Sequence, residues 1–180
     1  MLTLTIESAE LFDENTMEFI QVKGQTIQLE HSLVSMSRWE SKWKKPYLVK
    51  YPKKTVEEVI DYIRCMTITQ NVNPLLYKCI TSENIDKVGK YIEDPMSATK
   101  VKIDSNGRSS GVMTSEYIYY AMFANNVPKE CEKWHLNRLL NLLTIFAKSN
   151  MSKDKKQPRQ SLQERRALNE MRKAKLHTKG

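Results

Sequence analysis

The residues able to do chemistry are few and scattered. Three histidines, His31, His135 and His177, lie far apart in the chain, and three cysteines, Cys65, Cys79 and Cys131, form no CxxC pair. Zinc ligands usually arrive as closely spaced pairs, and no His or Cys pair here has that spacing. A Cys–His nucleophile needs an imidazole beside a thiol. His31 meets Cys65 or Cys79 only through a fold contact that sequence does not reveal. A phosphate-cradling loop needs glycines between a strand and a helix, whereas Gly107 and Gly111 fall in a turn-rich run. Asp61, Glu93 and Asp94 accompany helices and require no catalytic explanation. His135, beside Trp134 in an apolar segment, reads as a core or interface histidine. The expectation is a non-enzymatic protein with no cofactor and no metal.

One stretch interleaves aromatic residues with lysines: "SRWESKWKKPYLVKYPKK". Such a pattern can stack single-stranded nucleic acid or sit at a membrane interface. However, Leu33, Met36, Trp39 and Trp43 recur at spacings of three and four, which makes one helix face. Trp39 and Trp43 therefore read as core or interface aromatics, as does Trp134. Lys42, Lys44, Lys45, Lys50, Lys53 and Lys54 become a solvated rim.

Charge is unevenly distributed. The chain has 180 residues, 29 Lys+Arg and 21 Asp+Glu, for a net charge of +8. The segment from Lys148 to Gly180 holds 11 of the basic and 3 of the acidic groups, which leaves 18 of each sign in the rest. The final segment thus carries the whole imbalance, which weakens any inference from overall basicity to nucleic acid. No run of about 18 apolar residues exists, so no membrane span is expected. The start, "MLTLTIESAE", lacks the basic and apolar regions of a secretory signal. An odd cysteine count without pairing spacing predicts a reduced, cytosolic protein.

The elements that must position these residues follow from periodicity. "LTLTI" alternates as a half-buried strand does. "EFIQV" and "TIQLE" flank Lys23-Gly24-Gln25, where Gly24 is expected to supply the positive φ of a tight hairpin. Residues 1–30 read as a small antiparallel β-meander. Ser32 is a candidate N-cap for the Leu33–Trp43 stripe. Thr55 and Glu58 fit a capping box, opening a helix with Val56, Val59, Ile60, Ile63 and Met66 on one face. Asn73-Pro74 opens a short helix. A helix over 82–92 turns Ile85, Val88 and Ile92 inward. Asp104 to Gly107 is a turn signal. Thr114 caps a helix with Tyr117, Ile118, Ala121 and Met122 on its apolar side. The helix over 129–150 is expected to be central and largely buried through Trp134, Leu136, Leu139, Leu140, Leu143, Ile145 and Phe146. The fold class is α+β: meander 1–30, mainly helical body 31–149, linker 150–160 and a detached basic helix 161–180.

Several phrases resemble small proteins of long-tailed bacteriophages. They are "LEHSLVSMSRWESKWKKPYL", "DYIRCMTITQNVNPLLY", "YIEDPMSAT", "EYIYYAMFANNVPKECEKWHLNRLLNLL" and the closing "RRALNEMRKAKLHTKG". Together they span most of Leu29 to Gly180. The resemblance is to the tail assembly chaperones encoded beside the tape measure protein. It implies assembly rather than catalysis: binding of the tape measure and tail tube proteins in the cytoplasm of an infected bacterial host. It supplies no catalytic residues. Homo-oligomerisation stays open, and no membrane partner is expected. In the basic tail, Leu168 and Met171 form a short apolar stripe among Arg165, Arg166, Arg172, Lys173 and Lys175. These are the candidate partner-binding residues. Two alternatives stay open: a structural head or tail component of the virion, and nucleic-acid binding through the tail. The tail has no aromatic residue for stacking, which places nucleic acid second to a protein partner.

Overall fold

A computed structural model describes residues 1–14, 16–99, 112–155 and 162–176. The fold is α+β, and the chain divides into two compact units, Met1–Ile145 and Phe146–Gly180. Four strands open the first unit: β1 (Leu2–Ile6), β2 (Ala9–Asp13), β3 (Glu18–Val22) and β4 (Gln25–Leu29). β1 pairs with β4 from Leu2↔Leu29 to Ile6↔Gln25, and β2 pairs with β3 from Ala9↔Val22 to Asp13↔Glu18, both antiparallel. One register runs through both pairs, so they are two halves of a single long hairpin broken at Glu7-Ser8 opposite Lys23-Gly24.

The expected antiparallel N-terminal β-region is present, but its tight turn at Lys23-Gly24-Gln25 is not. β3 and β4 do not pair with each other, and no described glycine has a positive φ. Gly24 is needed for a different reason. A Cβ there would lie 2.7 Å from the Ser8 amide nitrogen and 2.8 Å from the Ile6 carbonyl oxygen. The two chains cross the break too closely for any side chain.

Leu4, Ile6, Ile27 and Leu29 are buried on one face of the β1–β4 pair, and Val22 is buried at the end of β3. Beyond it lie α1 (Leu33–Trp43), α2 (Val56–Met66), a 3-10 segment (Pro74–Cys79), α3 (Ser82–Glu93) and α4 (Ser115–Ala124). A second 3-10 segment (Lys129–Lys133) precedes α5 (Leu136–Lys155) and α6 (Leu162–Leu176). The local start signals are realised. Ser32 accepts from the Ser35 amide, and Thr55 and Glu58 close a reciprocal capping box. Asn73 caps the Leu75 amide at 3.0 Å, and Thr114 caps α4. α1 packs against both α2 and α4.

Four helix expectations change. α2 buries Tyr62, Ile63 and Met66 but leaves Val56 exposed. α3 buries Asn84, Val88 and Tyr91, with Ile85 and Ile92 only half-buried. The expected 129–150 helix is interrupted at Trp134-His135. His135 bridges to Ser32, and the Leu136 amide donates to the His31 carbonyl at 2.8 Å, so a tertiary strand-like contact overrides helix propensity there. α5 is also less central than its composition implies. Leu136 and Leu139 are buried, Trp134, Leu140, Leu143 and Phe146 are half-buried, and Ile145 is exposed.

The expected linker over 150–160 starts too early. α5 continues through Lys155 because the polar run holds no glycine or proline before Pro158. The Asp104–Gly107 turn, residues 156–161 and the final four residues lie outside the described residues. Gly24→Ala is expected to destabilise the protein by about 1–3 kcal/mol through backbone displacement at the break. A lower urea midpoint at unchanged m would register it; an unchanged midpoint would contradict the close-approach account.

Candidate docking surfaces

Two histidines and three tyrosines of the first unit, His31, His135, Tyr47, Tyr62 and Tyr91, converge on a closed cluster. His31 leaves β4 with its ring buried, and its Nδ1 lies 2.6 Å from the Tyr62 hydroxyl. The Tyr47 ring stacks on Tyr62, and the Trp39 ring meets both edge-on. His135 comes within 5.1 Å of His31, ring centre to ring centre, and its Nε2 donates to the Tyr91 carbonyl at 3.1 Å. The structure thus brings together two histidines that sequence left scattered. Burial, then the neighbouring His135, pushes the His31 pKa down to about 3, so the imidazole is neutral. Burial likewise lowers His135 and raises Tyr62.

His31 meets a tyrosine, not Cys65 or Cys79. Burial raises the Cys65 thiol, which opposes thiolate formation. Cys79 Sγ lies 3.7 Å from the Leu75 carbonyl. Among the described residues no group of three or more His, Cys, Asp or Glu is arranged to hold a metal. No helix among them is long and apolar enough to cross a membrane.

The interleaved lysines and aromatics close one side of this cluster. Trp39 is buried and donates from Nε1 to the Glu58 carbonyl at 2.9 Å. Trp43 is half-buried, stacks on Trp39 and donates to Asp61 at 2.9 Å. Lys42 pairs with Asp61, Lys45 with Glu58 at 2.6 Å, and Lys54 caps the Tyr47 ring at 4.5 Å. The Lys45 contact, together with the Thr55 amide, holds the Glu58 carboxyl below its usual range. These lysines are engaged with the fold. Trp134 is half-buried beneath the Arg138 guanidinium at 4.3 Å.

One open apolar surface lies on α4. This helix is apolar on almost every side, yet it buries only Ser115, Ile118 and Met122. The expected inward Tyr117 is instead 56% exposed; Tyr120 is 68% and Phe123 59% exposed. Spacings of three place these rings on one outward stripe. The inward face is fixed at its start by Glu40. Its buried carboxylate accepts from the Ser115 amide at 2.7 Å and from the Tyr47 amide at 2.7 Å. A carboxylate at a helix N-terminus is favourably placed, and here it sets the helix rotation. Ile118 and Met122 turn inward as expected and Ala121 is half-buried; Tyr117 alone departs, because tyrosine suits either environment.

The second unit carries the candidate tail residues on α6. Arg165, Arg166, Leu168, Met171, Arg172, Lys173 and Lys175 all lie within Leu162–Leu176. Leu168 is 40% and Met171 70% exposed, and Leu176 is also exposed. Comparison with known families, with curated proteins and with solved structures finds no match for the chain.

The neutral histidine cluster has a pH signature. In the unfolded chain His31 takes up a proton near pH 6.5, but in the folded protein only near pH 3. Its contribution is therefore complete above pH 6.5 and declines as pH falls. Stability is expected to drop by up to about 1.4 kcal/mol per pH unit for this residue, with His135 adding in the same direction. Urea midpoints measured from about pH 7.5 down to about 5.5 check this, where ordinary carboxylates stay ionised. A flat profile there, or an unchanged slope in His31→Asn, would contradict it.

Proposed function

We propose that the chain is a non-enzymatic assembly factor that binds protein, and more narrowly a tail assembly chaperone of a long-tailed bacteriophage. It would hold the tape measure protein, and through it recruit the tail tube protein, in the cytoplasm of the infected host. The observation that carries the reading is the α4 stripe of Tyr117, Tyr120 and Phe123, three large rings turned to solvent on a helix that buries its opposite face. Exposed apolar patches on a folded protein mark interaction sites. Aromatic residues at helical spacing suit an apolar helical client, which anchors by the same periodicity. The exposed Leu168 and Met171 on α6 provide a second, smaller apolar contact. The phrases between Leu29 and Gly180 that resemble the phage chaperones supply the identity of the client.

Co-expression with the tape measure protein of the genome that encodes this chain tests the reading. The tape measure protein is expected to stay soluble and to co-purify. Tyr117→Ser, Tyr120→Ser and Phe123→Ser combined should reduce the recovered complex by at least about tenfold, as loss of clustered aromatic anchors does. A client that remains insoluble would remove the chaperone role. Mass spectrometry of purified virions separates a chaperone, which should be absent or far below stoichiometric, from a structural component. A DNA titration across a salt series addresses the basic tail, since phosphate binding weakens steeply with salt.

A further inference from the structure

We propose that the outer half of the N-terminal hairpin is a docking arm for a cationic, extended segment of a partner protein, which adds to it as a strand. The inference does not rest on the tail-assembly reading. The two halves of the hairpin are treated differently by the fold. In the inner half, the Ile68 backbone amide donates to the Gln28 carbonyl at 2.9 Å beside β4, and the Asn84 side-chain Nδ2 donates to the Thr5 carbonyl at 3.0 Å beside β1. Both inner edges are therefore covered. In the outer half, β2 and β3 pair only with each other, and no described strand lies along either edge. An uncovered edge is a template for a further strand.

Side chains on the arm sort by face. Leu11, Ile20 and Val22 share the face that is half-buried or buried, and β3 packs near the Pro74–Cys79 segment. On the other face Phe12 and Phe19 sit directly opposite each other, with ring centres 5.2 Å apart. They are 49% and 72% exposed, and Met17 at the tip is 72% exposed. The core does not use this pair.

Charge selects the partner. From Glu7 to Lys23 the arm holds Glu7, Glu10, Asp13, Glu14 and Glu18 against the single cation Lys23. The neutral balance outside the tail thus conceals an acidic arm. Phosphate backbones and anionic lipids are repelled by such a surface, and so is the same arm of a second copy. A basic polypeptide with alternate apolar residues satisfies all three features at once: its backbone pairs with the edge, its apolar side chains cover Phe12 and Phe19, and its cations meet the carboxylates.

The test titrates the full chain with an alternating Lys-Val peptide matched in length to β3, alongside Glu-Val and Lys-Ser peptides of equal length. The Lys-Val peptide is expected to bind, with affinity falling as salt rises. It should lose at least about tenfold in affinity against Phe12→Ser/Phe19→Ser and against Glu10→Lys/Glu18→Lys. Circular dichroism of both variants should match the parent, because every substituted residue is exposed. Equal binding of the Glu-Val or Lys-Ser peptide would overturn the proposal. So would unchanged affinity in both variants, or sedimentation showing that the arm instead joins two copies of this chain.

Discussion

The turn from sheet to helix at Glu30-His31-Ser32 is the constraint on which the first unit depends. Three consecutive residues there bind three other parts of the chain. The Glu30 amide donates to the Met66 carbonyl at the end of α2, the His31 carbonyl accepts from Leu136 at the start of α5, and Ser32 caps α1. The His31 ring fills the space between them and must stay neutral, because nothing around it compensates a buried charge. Tyr62 and Tyr47 enclose it on one side and His135 on the other. Hydrogen bonds therefore fix where the helices enter, and the aromatic rings supply the apolar area that holds them.

A second tie links that core to the outward surface. Glu40, on the helix that Ser32 caps, accepts the amides of Tyr47 and Ser115 from one buried carboxylate. Charge-assisted bonds to two backbone donors are directional. They define how α4 begins, and hence which of its residues face solvent. In a helix this apolar, hydrophobic burial alone does not choose a face. The Glu40 anchor holds the start of α4, Ile118 and Met122 turn inward, and Tyr117, Tyr120 and Phe123 stay outside. The candidate site is in this sense a consequence of a buried acid that sequence periodicity did not single out.

Signals confined to a few residues were readable from sequence. The Thr55–Glu58 capping box, the Ser32, Asn73 and Thr114 caps and the Leu33–Met36–Trp39 face all depend on spacings of one helical turn. What sequence missed depends on distant partners. β2 has no clear sequence signal because Ala9, Leu11 and Asp13 alternate only weakly with Glu10 and Phe12, and its identity as a strand comes from the register with β3. Gly24 is legible as a special position, but its cause is a close approach, which needs the facing strand in view. The break at Trp134-His135 comes from Ser32 and His31, a hundred residues earlier. The apolar run of α5 announced a helix but not whether neighbours would cover it. The tail stripe was legible because helical spacing alone generates it.

The energetics of the exposed surfaces favour reversible capture over permanent assembly. Burying a large apolar side chain contributes about 1.5–3 kcal/mol, so the three rings of α4 together contribute about 5–9 kcal/mol. Association costs an estimated 4–15 kcal/mol in lost freedom before any net affinity appears. For the proposed function, one stripe alone would therefore hold a client weakly, and Leu168 and Met171 on α6 would add a comparably weak contact. Weak sites on one chain act together when a client is long enough to touch more than one, and the gain is one of effective concentration rather than of new contacts. A long, repetitive, helical client meets that condition and a compact folded one does not. Under the proposed function, release would need only that the client fold or pack elsewhere, because no single contact would be strong enough to retain it.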